Sequence, residues 1–490
     1  MKNMCLKLVV MTIACLGGAS ACLAQEKPWD KEIPTEDVRS DFEALYEGLQ
    51  SAHADLYVHR EKSDYDALYE QTRNSFTQPL SLFETKIAFQ QFTAYGNVAH
   101  ASIEFPGDAF QAFREEGGKT FPIFLRIAEG RAYVGEDYSG HAAINVGDEI
   151  LSLNGAPIAG WLAKTAAHIS ADTPYIAHSL LEFFFPKYVW LITGEVPHFE
   201  LTLRANDGSR KQVTVNARTH AEQREEARKH STAFALDSNE RISKMHDNAI
   251  AYLRPGPFYN VEDPNALWDN TAFTAFIDAS FESYLAAKAK TLIIDLRQNP
   301  GGDNSFSDHM VAWIADERFR FYSAFLVRSS DEAAASNQAR LDASPGAVEG
   351  VSGLFAKKYG EVPRGEIFEF DIPFAEPRKG AQFKGEVYVI VNRHSYSNAV
   401  NVAAIVQDYK FGTIVGEKTS DMATTYGAME TFVLPVTGIK VAFPKAHIIR
   451  PSGDRNSDGV TPDWPIKSPI APTQDDAVLK ALLSRLENRP

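Results

Sequence analysis

The chain has 490 residues, 44% of them apolar and 23% charged, with a formal net charge of −15 at pH 7. This length exceeds one ordinary domain and points to about two to four, and the composition forms ordinary cores without special staples. The acidic balance opposes phosphate backbones and anionic lipid, which sets aside nucleic acid and bulk membrane surfaces as partners.

The first element is a targeting segment. Lys2 and Lys7 flank a short polar start, Leu8–Leu16 is almost wholly apolar, and small residues follow up to Ala24. A basic start, an apolar middle and a small-residue cleavage zone predict a signal peptide over residues 1–24, too short to span a bilayer. The mature chain is therefore expected to be exported, periplasmic or secreted. Cleavage is expected after Ala24; the alternative is the lipoprotein-like box Ala19-Ser20-Ala21-Cys22, which would leave Cys22 lipidated and only then make the membrane a partner. All three cysteines, Cys5, Cys15 and Cys22, lie in this segment, so a chain cut after Ala24 excludes disulfides, thiolate catalysis and Cys-based metal sites.

Residues 25–117 read as a helical segment. Val38–Ala52, Tyr65–Phe76 and Ser81–Thr93 carry apolar residues at helical spacing, with Thr77-Gln78-Pro79 as a breaker. Over 118–218 the pattern turns to short strands, at Thr120–Ile127, Ala132–Glu136 and within Ile144–Gly155. Phe199–Leu203 and Lys211–Val215 form a hairpin through Asp207-Gly208. The run Val146-Gly147-Asp148-Glu149-Ile150, leading to Asn154-Gly155, resembles the strand-and-turn signature of PDZ-type domains, interrupted here by a long helical insert over 158–191.

Residues 219–490 follow, opening on a charged linker or surface helix over 219–245. Strands at Ala249–Leu253, Thr291–Leu296, Glu386–Asn392 and Thr413–Val415 alternate with helices at Thr271–Ala287, Phe306–Ala315 and Ser397–Tyr409, the pattern of an α/β layered domain. The fold class expected for the whole is multidomain α/β.

Two stretches carry chemistry. Leu292–Leu296 is a buried strand that ends in Asp295-Leu296-Arg297 and a Pro300-Gly301-Gly302 turn, whose glycines let backbone N–H groups approach a developing oxyanion. Val387–Val391 is a second apolar strand, running through Asn392–Tyr396 into a helix that starts at Ser397. Ser395 or Ser397 there is either a helix N-cap or a nucleophile at the positive helix end, with the Asn398 N–H as a further oxyanion donor. His309 and His394 read as packing residues. No His-Glu-x-x-His or comparable metal spacing occurs, and no metal or cofactor is implied.

In order, Asp295–Gly302, Ser397–Val400, Gly412–Thr419, Leu434–Gly438 and Gly459–Asp463 resemble the catalytic domain of the tail-specific (C-terminal-processing) and tricorn-core serine peptidases. The resemblance spans roughly 28–490 and is strongest over 249–464. It implies an exported serine peptidase acting on peptide or protein substrates, with Ser397 as nucleophile, Gly301 or Gly302 and Asn398 as oxyanion donors, and a PDZ-like domain presenting a peptide end. The tail-specific branch places a lysine base after the serine, but its spacing lands on Met422 from Ser397 and on Ser420 from Ser395. The tricorn-like branch uses a histidine ahead of the PDZ-like domain, which corresponds to His100 in Gly96–Ile103, closer to this sequence. Val400 and Asn456 stand where the family has acids, so the residue that orients His100 is left open among Asn456, Asp454 and Asp458. A catalytically silent binding protein of the same fold and an exported esterase are the alternative readings.

Overall fold

A computed structural model describes residues 27–229, 234–246, 249–343, 345–471 and 473–488. The expected signal peptide, residues 1–24 with its cysteines, lies outside the described residues. Among those described, no helix is long and apolar enough to cross a membrane.

The chain begins with α1 (Thr35–Ala52), α2 (Lys62–Ser75) and α3 (Leu82–Ala94). Helix α3 starts at a reciprocal cap, in which Ser81 Oγ accepts the Glu84 amide at 3.2 Å and Glu84 Oε2 accepts the Ser81 amide at 2.8 Å. An antiparallel sheet follows, with β1 (Ile123–Ala128), β2 (Arg131–Asp137) and β3 (Glu149–Leu153), then helices α4 (Ile158–Ala166) and α5 (Pro174–Thr193), then β4 (His198–Arg204) and β5 (Arg210–Asn216). These strands lie side by side in numerical order, with β1 at one edge. The insert expected as one helical stretch divides in two because Thr173 caps a new start, its Oγ1 accepting the Ile176 amide at 3.3 Å with Pro174 at the first position.

The remainder contains β6 (Ile242–His246), β7 (Ile250–Arg254), α6 (Thr271–Ala286), β8 (Thr291–Asp295), α7 (Asn304–Val311), β9 (Ala324–Arg328) and β10 (Ile367–Glu369). Beyond these come β11 (Glu386–Val391), α8 (Asn398–Asp408), β12 (Thr413–Gly416), β13 (Thr425–Val433), β14 (Lys440–Ile449), β15 (Trp464–Pro465) and α9 (Ala477–Glu487). One sheet has the order β6-β7-β8-β11-β12-β15 and is parallel apart from β6. Its strands are covered on both faces. Leu292 and Ile294 pack with Ile277 of α6, Met310 of α7 and Val402 of α8, while Ile293 packs with Val478 and Leu482 of α9. That double burial is why these strands read as unbroken apolar runs.

A second, antiparallel sheet has the order β10-β9-β14-β13. The sequence reading did not anticipate it. Phe325 and Val327 of β9 and Val441 and Phe443 of β14 share one core with Phe42 of α1 and Phe89 of α3, so the opening helices close over this sheet. The segment after α3 is thereby held beside the C-terminal half: Ser102 exchanges both backbone hydrogen bonds with Ala442, at 3.0 and 2.8 Å.

Candidate active site

Two turns, one after β8 and one after β11, lie side by side because parallel strands β8 and β11 are direct neighbours. The brace between them is polar and buried. Asn392 Oδ1 accepts the amides of Gln298 (3.2 Å) and His394 (3.1 Å), and Asn299 O accepts the Tyr396 amide at 2.9 Å. Ser395 Oγ donates to Leu296 O at 2.8 Å and accepts the Asn392 amide at 3.1 Å. Ser395 is thus consumed in structure. Beneath the first turn, Asp295 is sealed from solvent and ion-paired to Arg297 at 2.6 Å, and Arg297 also pairs with Asp476 at 2.5 Å. Burial pushes the Asp295 carboxyl up, but the Arg297 charge and hydrogen bonds outweigh it and hold the group below the usual carboxylate range.

Ser397 caps α8 with φ 50° and ψ −122°, and makes no side-chain cap bond. A serine in this left-handed region is strained, and its hydroxyl is left uncommitted at the corner where strand turns into helix. Two backbone donors beside it are also uncommitted: the N–H groups of Gly302 and Asn398 bond to no described group. The Gly301 N–H differs from expectation, since it donates to Asn299 Oδ1 at 2.8 Å. Of the two glycines, only Gly302 retains a free donor. A side chain at either would collide: a Cβ on Gly301 would lie 2.7 Å from Asn398 N, and one on Gly302 2.1 Å from Phe258 O.

Ser397, Gly302, Asn398 and His100 all line one cavity of about 540 Å³. His100 arrives from the turn after α3, which is fixed by Asp172: its Oδ2 accepts the Ala99 amide at 2.9 Å, and its Oδ1 lies 3.5 Å from His59 Nε2. His100 Nδ1 is enclosed without a hydrogen-bond partner, and His100 is one of the residues that line the cavity.

The same cavity contains an acid that the sequence reading missed. Asp421 Oδ2 accepts the Ser397 amide at 2.5 Å and Oδ1 accepts the Met422 amide at 2.8 Å. Burial pushes its carboxyl up, opposed by the charge of His100 and by these two amides. The tail-specific spacing from Ser397 falls one residue beyond it, on Met422. The expected orienting residues are elsewhere. Asn456, Asp454 and Asp458 are exposed; Asp454 bonds Asn456 Nδ2 at 2.8 Å, and Asp458 pairs with Lys418 at 2.5 Å. His309 pairs with Asp278 at 2.7 Å, and His394 Nε2 lies 2.9 Å from Glu182. No group of three or more His, Asp or Glu side chains that could hold a metal occurs among the described residues.

An unengaged serine hydroxyl on a strained corner, two free amides beside it and an imidazole in the same cavity are the parts a serine hydrolase requires. Residues 266–466 match the model of peptidase family S41, so the chain carries a domain of that family and is a serine-type peptidase. No curated protein sequence matches the chain significantly. Among solved structures, mature CPAF is similar at 17% identity over 92% of this chain and 96% of that one, with a TM-score of 0.63. Mature CPAF complexed with lactacystin gives 16% over 92% and 97%, with a TM-score of 0.61. The photosystem II D1 C-terminal processing protease is also similar, at 16% over 88% and 93%, with a TM-score of 0.42.

Proposed function

We propose that the chain hydrolyses peptide bonds with Ser397 as nucleophile and His100 as general base. The observation that carries this reading is the shared cavity, which Ser397, His100, Gly302 and Asn398 all line, with the Gly302 and Asn398 N–H groups bonded to no described group. His100 Nε2 takes the Ser397 Oγ proton as Oγ attacks the scissile carbonyl, and returns it to the leaving amine; it then deprotonates a water that displaces the acyl group from Oγ and gives the proton back to Ser397. The oxyanion is held by the Gly302 and Asn398 amides, each worth roughly 10²–10³ in rate. Asp421 has two tasks. It fixes the Ser397 N–H away from the oxyanion position, and its negative charge stabilises the imidazolium formed when the proton moves.

The sheet β1–β5 with α5 serves in this reading as the PDZ-like unit that presents a substrate end, and residues 25–117, 118–218 and 219–490 act as the three parts of an exported enzyme. The strand-and-turn motif at Val146–Gly155 supports the PDZ-like assignment, and the apolar start of the sequence supports export.

The test is labelling with a fluorophosphonate followed by peptide mapping. The adduct is expected on Ser397; an adduct on Ser395, or none, would refute the assignment. Hydrolysis of esters without any peptide cleavage would move the activity to an acyl hydrolase.

A further inference from the structure

The helical insert between β3 and β4 has no task in the proposed chemistry. Yet helix α5 and the loop before it reach each segment that carries Ser397, Asp421 or His100. Tyr175, Ser179 and Glu182 recur at helical spacing and so share one face of α5. Beside the nucleophile, Tyr396 Oη donates to Ser179 Oγ at 2.8 Å. Beside the acid, Ser179 Oγ lies 2.9 Å from Ser420 Oγ, and Tyr175 Oη donates to Lys418 O at 3.0 Å. Beside the base, Asp172 Oδ2 accepts the Ala99 amide at 2.9 Å.

The contacts of Asp172 and Ser179 fall one residue ahead of each functional group: Ala99 before His100, Tyr396 before Ser397, Ser420 before Asp421. None of these five residues lines the cavity. A planar peptide unit passes the position of one residue directly to the next, so the bonds fix where the three side chains begin without touching a substrate.

The network is buried and directional. Ser179 is fully enclosed and Ser420 is 2% exposed. Ser179 Oγ donates to Ile176 O of its own helix at 2.8 Å, and Ser420 Oγ donates to Arg393 O at 2.6 Å. A chain of hydroxyls thus runs from α5 into the turn that leads to Ser397. The Asp172 side chain is 3% exposed, with its second oxygen 3.5 Å from His59 Nε2. Apolar packing would hold α5 in place without direction; hydrogen bonds also set distance and angle, and a buried hydroxyl is costly to strand. We infer that Asp172 and Ser179 are positioning residues for the proposed reaction, through which the insert of the β1–β5 unit holds the base, nucleophile and acid segments at their working separation.

This inference rests on the serine-peptidase reading, and one reagent separates the two. The rate of fluorophosphonate labelling at Ser397 in the full chain depends on nucleophile, base and oxyanion geometry, with no peptide to be presented. Ser179→Ala and Asp172→Ala should each slow labelling and peptide kcat roughly 10- to 100-fold, the loss expected for a displacement of about 1 Å, with KM little changed. Tyr396→Phe removes the other end of the Ser179 bond, so it should slow labelling similarly and add little to Ser179→Ala in the double variant. Asp172→Asn keeps an acceptor for the Ala99 amide and should recover most of the Asp172→Ala loss. Thr193→Ala, at the far end of α5, removes a hydroxyl bonded only to Val189 O and Gly194 O and should label at the wild-type rate. Wild-type labelling in folded Ser179→Ala and Asp172→Ala would overturn the inference and leave the peptidase reading standing. Tyr396→Phe keeps the ring and its packing, so wild-type labelling there is decisive against the Ser179 link whether or not an alanine variant folds. Fully additive losses from Ser179→Ala and Tyr396→Phe would also overturn it. No labelling of Ser397 in the wild type sinks the peptidase reading, and the inference with it.

Discussion

At the scale of single residues, the proposal of Ser397 as nucleophile rests on what its neighbours already do. Ser395 is occupied by Leu296 O and the Asn392 amide, whereas the Ser397 hydroxyl is not a cap and its amide is held by Asp421. Asp421 therefore acts as a positioning residue whose charge and shape can be separated. Asp421→Asn keeps an acceptor for one amide but removes the negative charge opposite His100, so kcat should fall while KM changes little. Asp421→Ala removes the acceptor from the part-buried Ser397 N–H, which costs up to about 1 kcal/mol, and should add a small loss of stability to the loss of rate. Because burial raises the Asp421 carboxyl, its ionised form persists only at higher pH than for an ordinary carboxyl. The acid limb of kcat should include this group in the wild type and lose it in Asp421→Asn. Identical pH–kcat profiles for the two proteins, recorded with one peptide substrate, would remove Asp421 from the mechanism.

At the scale of elements, the site is two strand-to-helix corners held in register by amides, and the glycines record how closely they approach. Gly301 has φ 90° and Gly302 φ 137°, both in the region that L side chains rarely adopt. Gly301→Ala would push a methyl group to 2.7 Å from Asn398 N. The expected result is a stability loss of about 1–3 kcal/mol and a larger proportional loss in kcat, because the collision moves the proposed oxyanion donor. Urea unfolding beside steady-state kinetics checks this: full activity in Gly301→Ala would mean the corners are not held at the spacing seen. These corners were legible in the sequence because each is local, an apolar strand, a polar turn and a helix within a short span. The antiparallel sheet β10-β9-β14-β13 was not, since it pairs Leu326 with both Glu369 and His447, residues far apart in the chain with little local signature. The role of Asp421 was hidden for a related reason. Nothing in its own segment marks it, and only its return to the Ser397 amide, 24 residues back, gives it meaning.

At the scale of the molecule, one buried carboxylate ties the β1–β5 sheet to the corner that carries Ser397. Glu182 on α5 accepts the Ile127 amide of edge strand β1 at 2.7 Å and Arg126 Nη1 at 3.0 Å. It also accepts Arg393 Nη1 at 2.9 Å, and His394 Nε2 lies 2.9 Å away. Arg393 itself bonds Ile127 O and pairs with Glu417 at 2.5 Å. Burial alone would push the Glu182 carboxyl up, but His394, Arg126 and Arg393 together hold it down at about 2, against 4.5 for an ordinary glutamate. A carboxyl depressed by folding contributes stability that is complete above the unfolded value, near 4.5, and is lost as pH falls toward about 2. The contribution is on the order of 3 kcal/mol at neutral pH. Since the group links two sheets, its protonation should loosen the attachment of the β1–β5 unit to the nucleophile corner. Glu182→Gln, which retains size but not charge, should lower stability at pH 7 and flatten the acid dependence between 4.5 and 2. Glu182→Ala, which leaves Arg126 and Arg393 facing an empty site, should cost more, about 3–5 kcal/mol. Denaturant midpoints measured at steps from pH 7 to pH 2 for the three proteins decide the matter. An acid slope in Glu182→Gln as steep as in the wild type would show that other carboxylates, such as Asp295 paired with Arg297, dominate acid unfolding, and that Glu182 positions the two sheets without setting how firmly they hold together.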